Sequence, residues 1–185
     1  DNLGGLAAIA HKIEAQFDIK LNVISGGNSS SIYLIWKEGL PEGINNLRLG
    51  ESFLLGNDTA YGETVPGCVH DTMTLEAQII ELKEKPSLPI GEVGVDAFGE
   101  KPYYEDRGMM KRAIIAVGKQ DTDLGGMHPT DAQIEIMGGS SDHTILDVTH
   151  ADKGYKVGDV VSFTLEYGAM LKLATSPYVE KAYIK

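Results

Sequence analysis

The 185-residue sequence has an ordinary composition for a globular protein, with 42% hydrophobic and 23% charged residues. Its formal net charge of −11 argues against a nucleic-acid partner, which binds best to a basic surface. Cys68 is the only cysteine and no apolar run reaches the ~20 residues of a membrane helix, so we expect a cytoplasmic protein without disulfides or a membrane partner.

The first 60 residues predict an alternation of helices and strands. Apolar spacing and turn residues predict a helix at 3–17, a strand at 19–24, a helix at 29–38 and a short strand at 46–49. This order is typical of a parallel α/β unit. Since a complete (β/α)₈ barrel needs about 250 residues, residues 1–60 are at most the closing part of one.

Residues 61–185 predict a mainly β domain, in which short apolar stretches alternate with turns rich in Gly, Pro and Asp. The predicted strands lie at 72–84, 111–117, 133–137, 144–148, 157–165 and 178–184. One short helix is predicted at 167–174. Many short strands with such turns indicate a sandwich or a barrel.

The stretch Ser25–Ser31 (Ser-Gly-Gly-Asn-Ser-Ser-Ser) lies between a predicted strand and a predicted helix. Glycine lets the backbone come close to a ligand, and Asn or Ser can cap a helix. The backbone N–H groups at a helix N-terminus favour an anion such as a phosphate. On these residues alone, a polar turn with a helix cap and no ligand is the alternative.

A second stretch, Asn46–Glu51, places Arg48 between two leucines shortly before a glycine. On a strand, Arg48 would point away from the face of Leu47 and Leu49. An inward-facing arginine needs a partner, because an unpaired buried charge is costly. The alternative is a surface arginine or a structural salt bridge on a short edge strand.

Together, these two stretches resemble the second half of the pyridoxal-phosphate barrel of the alanine racemase family. The sequence is similar in particular to the ornithine racemase group of that family, also at 118–121, 140–143 and 176–181. The resemblance covers nearly the whole chain. It implies an α/β plus mainly β protein: the closing part of a (β/α)₈ barrel at 1–60, followed by a C-terminal β domain at 61–185.

The resemblance implies pyridoxal 5′-phosphate as the cofactor. The residues that would hold it are Asn28, Ser29, Arg48, Gly50, Glu51 and Tyr167. Arg48 would contact the pyridine nitrogen and, because a guanidinium stays protonated, would leave that nitrogen unprotonated. A ring with a neutral nitrogen is a weaker electron sink, which suits simple proton exchange at Cα. For Tyr167 a core position is the alternative.

The catalytic positions that the resemblance implies are Lys119 and Asp121. Lys119 stands where alanine racemases carry a tyrosine that reaches in from the partner subunit, and a lysine can exchange protons if its pKa is lowered. A solvated loop lysine is the alternative. Ser141 and Asp142 lie where the family binds the substrate carboxylate, with a hairpin turn as the alternative.

The function that the resemblance implies is a pyridoxal-phosphate-dependent racemase that interconverts L- and D-ornithine or a related diamino acid. Candidates for contacting its cationic side chain are Asp121, Asp123 and Asp142. The alternative is a non-catalytic or regulatory protein that binds pyridoxal phosphate. No metal site is expected, because the histidines have no ligand spacing.

The assembly that the resemblance implies is a homodimer with shared active sites. The lysine that forms the Schiff base with the cofactor has no matching motif in the chain. We therefore expect residues 1–185 alone to be inactive without a missing N-terminal barrel segment or a companion chain.

Overall fold

The computed structural model describes residues 2–95, 99–100, 103 and 105–184. It divides into two compact units, Asp1–Thr72 and Met73–Lys185. The assignment of 1–60 and 61–185 as the functional domains stays a prediction. Among the described residues, no helix combines the length and hydrophobicity needed to cross a membrane.

The first unit is an α/β segment built on two parallel strands. In chain order it contains α1 (Asn2–Phe17), β1 (Ser25–Asn28), a 3₁₀ turn (Ser29–Ser31), α2 (Leu34–Lys37), β2 (Asn46–Arg48) and α3 (Glu51–Leu55). Strand β1 pairs with β2 in parallel. A small core of Ala7, Ala10, Ile24 and Ile44 joins α1 to this pair.

The predicted strand at 19–24 is wrong, because the pairing begins only at Ser25. The amide of Ile24 donates to the side-chain oxygen of Asn45 at 2.9 Å, and the amide of Asn45 donates to the Ile24 carbonyl at 3.2 Å. Strand β1, which pairs in parallel with β2, then includes Gly26 and Gly27. A Cβ at Gly26 would lie 2.8 Å from Ile44 Cδ1, so a larger residue here would have to displace the Ile44 side chain that packs against the strand.

The helices of the first unit agree with the predictions only in part. Helix α1 confirms the predicted 3–17 helix to within a residue. The predicted helix at 29–38 is broken into the 3₁₀ turn and the single turn of α2. Helix α3, which starts directly after Gly50, was not predicted.

The second unit is a six-stranded antiparallel sheet with the order β5-β8-β3-β4-β7-β6. Its elements are β3 (Leu75–Pro86), β4 (Met109–Ile115), a 3₁₀ turn (Leu124–Gly126), β5 (Met127–Pro129), β6 (Glu135–Gly139), β7 (Thr144–Asp147), β8 (Val160–Leu165) and α4 (Tyr167–Thr175). Apolar side chains of the sheet and of α4 form one core, centred on the fully buried Ile79, Ile115, Leu146 and Phe163.

Five of the six predicted strands are confirmed to within a few residues, and so is the helix at 167–174. The predicted strand at 178–184 is wrong: no strand is assigned there, and Tyr178, Tyr183 and Ile184 are largely exposed. Apolar alternation without a neighbouring strand does not make a sheet. Strand β5 was missed because it is short and contains Pro129, which a strand at the edge of a sheet tolerates.

Candidate functional site

The turn that follows β1 is organised by Asn28. Its side-chain oxygen accepts the amide of Ser30 at 3.0 Å and the hydroxyl of Ser30 at 2.7 Å, so Asn28 caps the 3₁₀ turn. Gly27 has a φ of +92°, and a Cβ there would lie 2.9 Å from Cβ of Ser31. Glycine is therefore required at this position, for both conformation and space.

The Ser29 hydroxyl joins this turn to the start of α3. It accepts the backbone amides of Gly50 and Ser52, each at 3.3 Å, and it accepts the Ser52 hydroxyl at 3.2 Å. Ser29 and Ser52 are both buried. Two predicted phosphate contacts, Ser29 and Gly50, are thus brought together, whereas Ser52 is a residue that the sequence reasoning missed.

Arg48 lies opposite Asn28 in the parallel pair of strands. Its Nη1 atom donates to the Ser25 hydroxyl at 2.9 Å and to the Ser25 carbonyl at 3.4 Å. Arg48 is exposed, and among the described residues its partner is a hydroxyl and a carbonyl rather than a carboxylate. Within the described part of the chain, Arg48 therefore does not form the structural salt bridge that was the alternative prediction.

These residues fit an anionic group by their chemistry. Ser29 brings a hydroxyl, Gly50 a backbone N–H group that donates to that hydroxyl in this structure, and Glu51 the N–H group of the first residue of α3. Arg48 adds a permanent positive charge at the same end of the strand pair. Each of these groups can donate a hydrogen bond. The oxygens of a phosphate ester accept such hydrogen bonds.

A second cluster lies in the β unit, where the 118–121 turn meets the 140–143 loop. The amide of Lys119 donates to the Ser140 carbonyl at 2.9 Å, and the amide of Gln120 donates to the Ser141 carbonyl at 2.9 Å. A Cβ at Gly118 would lie 2.5 Å from backbone atoms of Ser141 and Asp142. Two stretches that are separate in the sequence therefore form one surface.

Asp142 carries an exposed carboxylate at this surface. Its Oδ1 atom accepts the hydroxyl of Ser141 at 3.1 Å and that of Ser140 at 3.2 Å, and it lies 3.3 Å from Nδ1 of His143. The hydrogen bond from Ser141 is the main cause that lowers the pKa of Asp142 below its usual value of 3.8. The carboxylate is therefore ionised at neutral pH.

Asp121 has a different environment from Lys119. Its side chain is buried, and Oδ1 accepts the Ser176 hydroxyl at 2.7 Å. The catalytic role of Asp121 stays a prediction, and the structure shows its carboxylate in a buried contact with Ser176. Lys119 is partly buried and lines a surface cavity of about 480 Å³.

That cavity is otherwise mainly apolar. Its other side chains include Leu124, Met127, Ile134, Glu135 and Ile136. Glu135 is the acidic residue in this lining, and it forms an ion pair with Arg107 at 2.5 Å.

Tyr167 is the first residue of α4 in the second unit and is partly buried. In the residue before it, Glu166, the carboxylate oxygen Oε1 lies 2.9 Å from Nε2 of His128, and both side chains are exposed. Among the described residues, no group of three or more His, Cys, Asp or Glu side chains is arranged to hold a metal ion.

The chain has two well-matched relatives among curated proteins. It is 59% identical over 181 residues to ornithine racemase from Acetoanaerobium sticklandii, which covers 98% of this chain and 51% of that protein. It is 45% identical over 179 residues to lysine racemase from Thermotoga maritima, covering 96% and 50% respectively. The chain thus spans about half the length of these relatives. No protein-family model matches it.

Solved structures show the fold. Alanine racemase from Bartonella henselae with covalently bound pyridoxal phosphate matches with a TM-score of 0.54 and 23% identity, over 93% of this chain and 48% of that one. D-threonine aldolase from Filomicrobium marinum matches with a TM-score of 0.53 and 15% identity, over 88% and 38%. The chain is therefore similar to about half the length of an ornithine racemase, and its fold resembles that of an alanine racemase structure.

Proposed function

We propose that the chain is the C-terminal half of a pyridoxal-phosphate-dependent racemase that interconverts L- and D-ornithine or a related diamino acid. The observation that carries this proposal is the 59% identity to an ornithine racemase over 181 residues. The lysine racemase relative supports it, because lysine and ornithine both carry a second amino group.

The first unit would hold the phosphate of pyridoxal 5′-phosphate, the cofactor of the alanine racemase structure described above. When bound, this group withdraws electrons from the substrate and makes its Cα proton acidic. Ser29 would donate its hydroxyl, and Gly50 and Glu51 their amides. Asn28 keeps this turn in place through its cap on Ser30.

Arg48 would donate to the pyridine nitrogen. A guanidinium has five N–H donors and no acceptor, so it leaves that nitrogen without a proton. The hydrogen bond to the Ser25 hydroxyl restricts the orientation of the guanidinium. A weak electron sink then favours proton exchange at Cα over other reactions of the bound substrate. Proton exchange at Cα is the reaction that a racemase requires.

The β unit would supply the groups that act on the substrate. Lys119 Nζ would take or give the Cα proton, and backbone N–H groups near Ser141 and Asp142 would bind the substrate carboxylate. Among the three candidate acids for the cationic side chain, Asp121 is buried against Ser176, and Asp123 caps the amide of Gly125 at 3.3 Å. Asp142 is exposed and ionised, so we assign the ammonium contact to it.

The active enzyme would be a cytoplasmic homodimer with shared sites, and it would need protein beyond residues 1–185 to supply the Schiff-base lysine. Incubation of that intact enzyme with L-ornithine and pyridoxal phosphate, followed by chiral chromatography, tests the proposal. Accumulation of D-ornithine supports it. Binding of the cofactor without any D-ornithine would favour the non-catalytic alternative.

A further inference from the structure

We infer that the segment 176–181 is a positioning element, which holds the turn carrying Lys119 through the hydrogen bond from Ser176 to Asp121. The consequence for catalysis rests on the proposed function, whereas the local effect on the turn does not. This segment is one of the stretches on which the resemblance rests, and neither the predicted cofactor site nor the predicted substrate site uses it.

The contact between Asp121 and Ser176 is long-range and shielded from water. The Ser176 hydroxyl donates to Asp121 Oδ1 at 2.7 Å, between residues 55 positions apart. Asp121 is 4% exposed and Ser176 is 7% exposed. A buried carboxylate needs such a donor, because an unpaired polar group in the interior is costly.

Ser176 is itself held in position by its neighbours. Its amide donates to the Lys172 carbonyl at 2.9 Å, which ends helix α4, and its hydroxyl accepts the amide of Tyr178 at 3.2 Å. The ammonium of Lys181 donates to the Ser176 carbonyl. Since α4 is anchored in the core by Leu173, the hydroxyl of Ser176 has a defined direction.

The turn carrying Lys119 is therefore restrained on two sides. On one side its amides at Lys119 and Gln120 bond to the 140–143 loop, each at 2.9 Å. On the other side Asp121 is bonded to Ser176. Within the turn, the amide of Asp121 donates to the Gly118 carbonyl at 2.9 Å, so a movement of Asp121 is transmitted to the residues before it.

The position of this turn matters for proton transfer. A base must lie within hydrogen-bond reach of the proton that it moves, and a displacement of 1 Å can cost about a hundredfold in rate. Lys119 is two residues from Asp121 in the same turn. Asp121 thus acts through Lys119 and not as a proton-transfer group itself.

Amide hydrogen exchange of the intact enzyme, measured by mass spectrometry at single-residue resolution, tests the local effect. Ser176→Ala should speed exchange at the Lys119 and Gln120 amides by about fivefold, since one hydrogen bond contributes about 1 kcal/mol. Exchange at Ala113 and Leu146, in the buried centre of the sheet, should not change. Ser176→Thr keeps the hydroxyl and should restore slow exchange. Unchanged exchange at Lys119 and Gln120, or equal acceleration at all four amides, would overturn the inference.

A matched control is Thr175→Ala. The Thr175 hydroxyl is next to Ser176 in sequence but bonds only within α4, to the carbonyls of Leu171 and Lys172 at 3.1 Å each. This variant removes a neighbouring hydroxyl without touching the turn. Its exchange at Lys119 and Gln120 should match that of the parent.

The catalytic consequence is measured in the intact enzyme. Ser176→Ala should lower kcat about ten- to a hundredfold with little change in KM, because the proton-transfer group is misplaced. Asp121→Asn keeps a side-chain oxygen that accepts from Ser176, so it should retain most of the turnover. Loss of all turnover in Asp121→Asn would overturn the positioning role, and so would an unchanged kcat in Ser176→Ala. A parent enzyme without racemase activity would refute the proposed function only, because the exchange result stands independently.

Discussion

The guanidinium of Arg48 donates a hydrogen bond from Nη1 to the hydroxyl of Ser25 at 2.9 Å. This contact crosses the parallel pair of β1 and β2, in which Asn28 is opposite Arg48. The predicted contacts for the pyridine nitrogen and for the phosphate are therefore at the same end of one strand pair.

Arg48→Glu should change the electronic state of the cofactor in the intact enzyme. The substituted carboxylate accepts where the guanidinium donates, so it favours a protonated ring nitrogen. We expect an altered absorption spectrum during turnover and a lower kcat. Lys12→Glu, a charge reversal on the exposed side of α1, is the control. If Arg48→Glu has the spectrum and the kcat of the parent, Arg48 does not contact the cofactor.

Ser29→Ala should weaken binding of pyridoxal phosphate. Loss of a hydrogen bond to a charged group costs about 1.5–3 kcal/mol, or roughly ten- to a hundredfold in affinity. The substitution also removes the acceptor of the Gly50 and Ser52 amides. Fluorescence titration of the intact enzyme measures the affinity, with Thr175→Ala, which removes a hydroxyl from α4, as the control. An unchanged affinity in Ser29→Ala would leave Ser29 with only its structural contacts.

Gly118→Ala should destabilise the β unit. The new Cβ would lie 2.5 Å from backbone atoms of Ser141 and Asp142, so the two loops must separate. Overpacking of this kind costs about 1–3 kcal/mol of unfolding free energy. Gly154→Ala is the control, because a Cβ there meets no atom within 4 Å. Equal urea midpoints for the two variants would contradict the close contact of the loops.

Ser141→Ala should raise the pKa of Asp142 towards its usual value of 3.8, because the Ser141 hydroxyl is the main cause of the lowered pKa. A depressed pKa in the folded state stabilises the fold above the unfolded pKa, and this contribution is lost as the pH falls through the folded value. The difference in stability between parent and variant should therefore disappear at acid pH. An NMR titration of the Asp142 carboxyl group measures the shift directly. A pKa that does not move would show that the Ser141 hydroxyl is not the main cause.

The periodic parts of the fold were predictable because their signal is local. The long strands β3 and β4 carry apolar patterns that their buried faces confirm. Apolar spacing also predicted helix α1, but its buried residues are Ala7 and Ala10, whereas Leu6, Ile9, Ile13 and Phe17 are exposed. The position of β1 was not predictable in this way. It depends on Asn45 and on the contact of Ile44 with Gly26, which are tertiary interactions.

The sequence predicted which residues belong to the candidate site, but it did not predict which residues they contact. The resemblance supplied Lys119, Ser141 and Asp142, and the structure brings their loops together. It did not reveal that Asp121 is bonded to Ser176, because the two residues are 55 positions apart and no local pattern links them.

We propose that the intact enzyme exchanges the Cα proton of a diamino acid with inversion. Incubation of the intact enzyme with L-ornithine and pyridoxal phosphate in D₂O tests it, with the product analysed by chiral chromatography coupled to mass spectrometry. We predict D-ornithine with one deuterium at Cα, and no such product from residues 1–185 alone. D-ornithine formed by residues 1–185 alone would contradict the need for further protein, and unlabelled L-ornithine as the only species from the intact enzyme would contradict the racemase assignment.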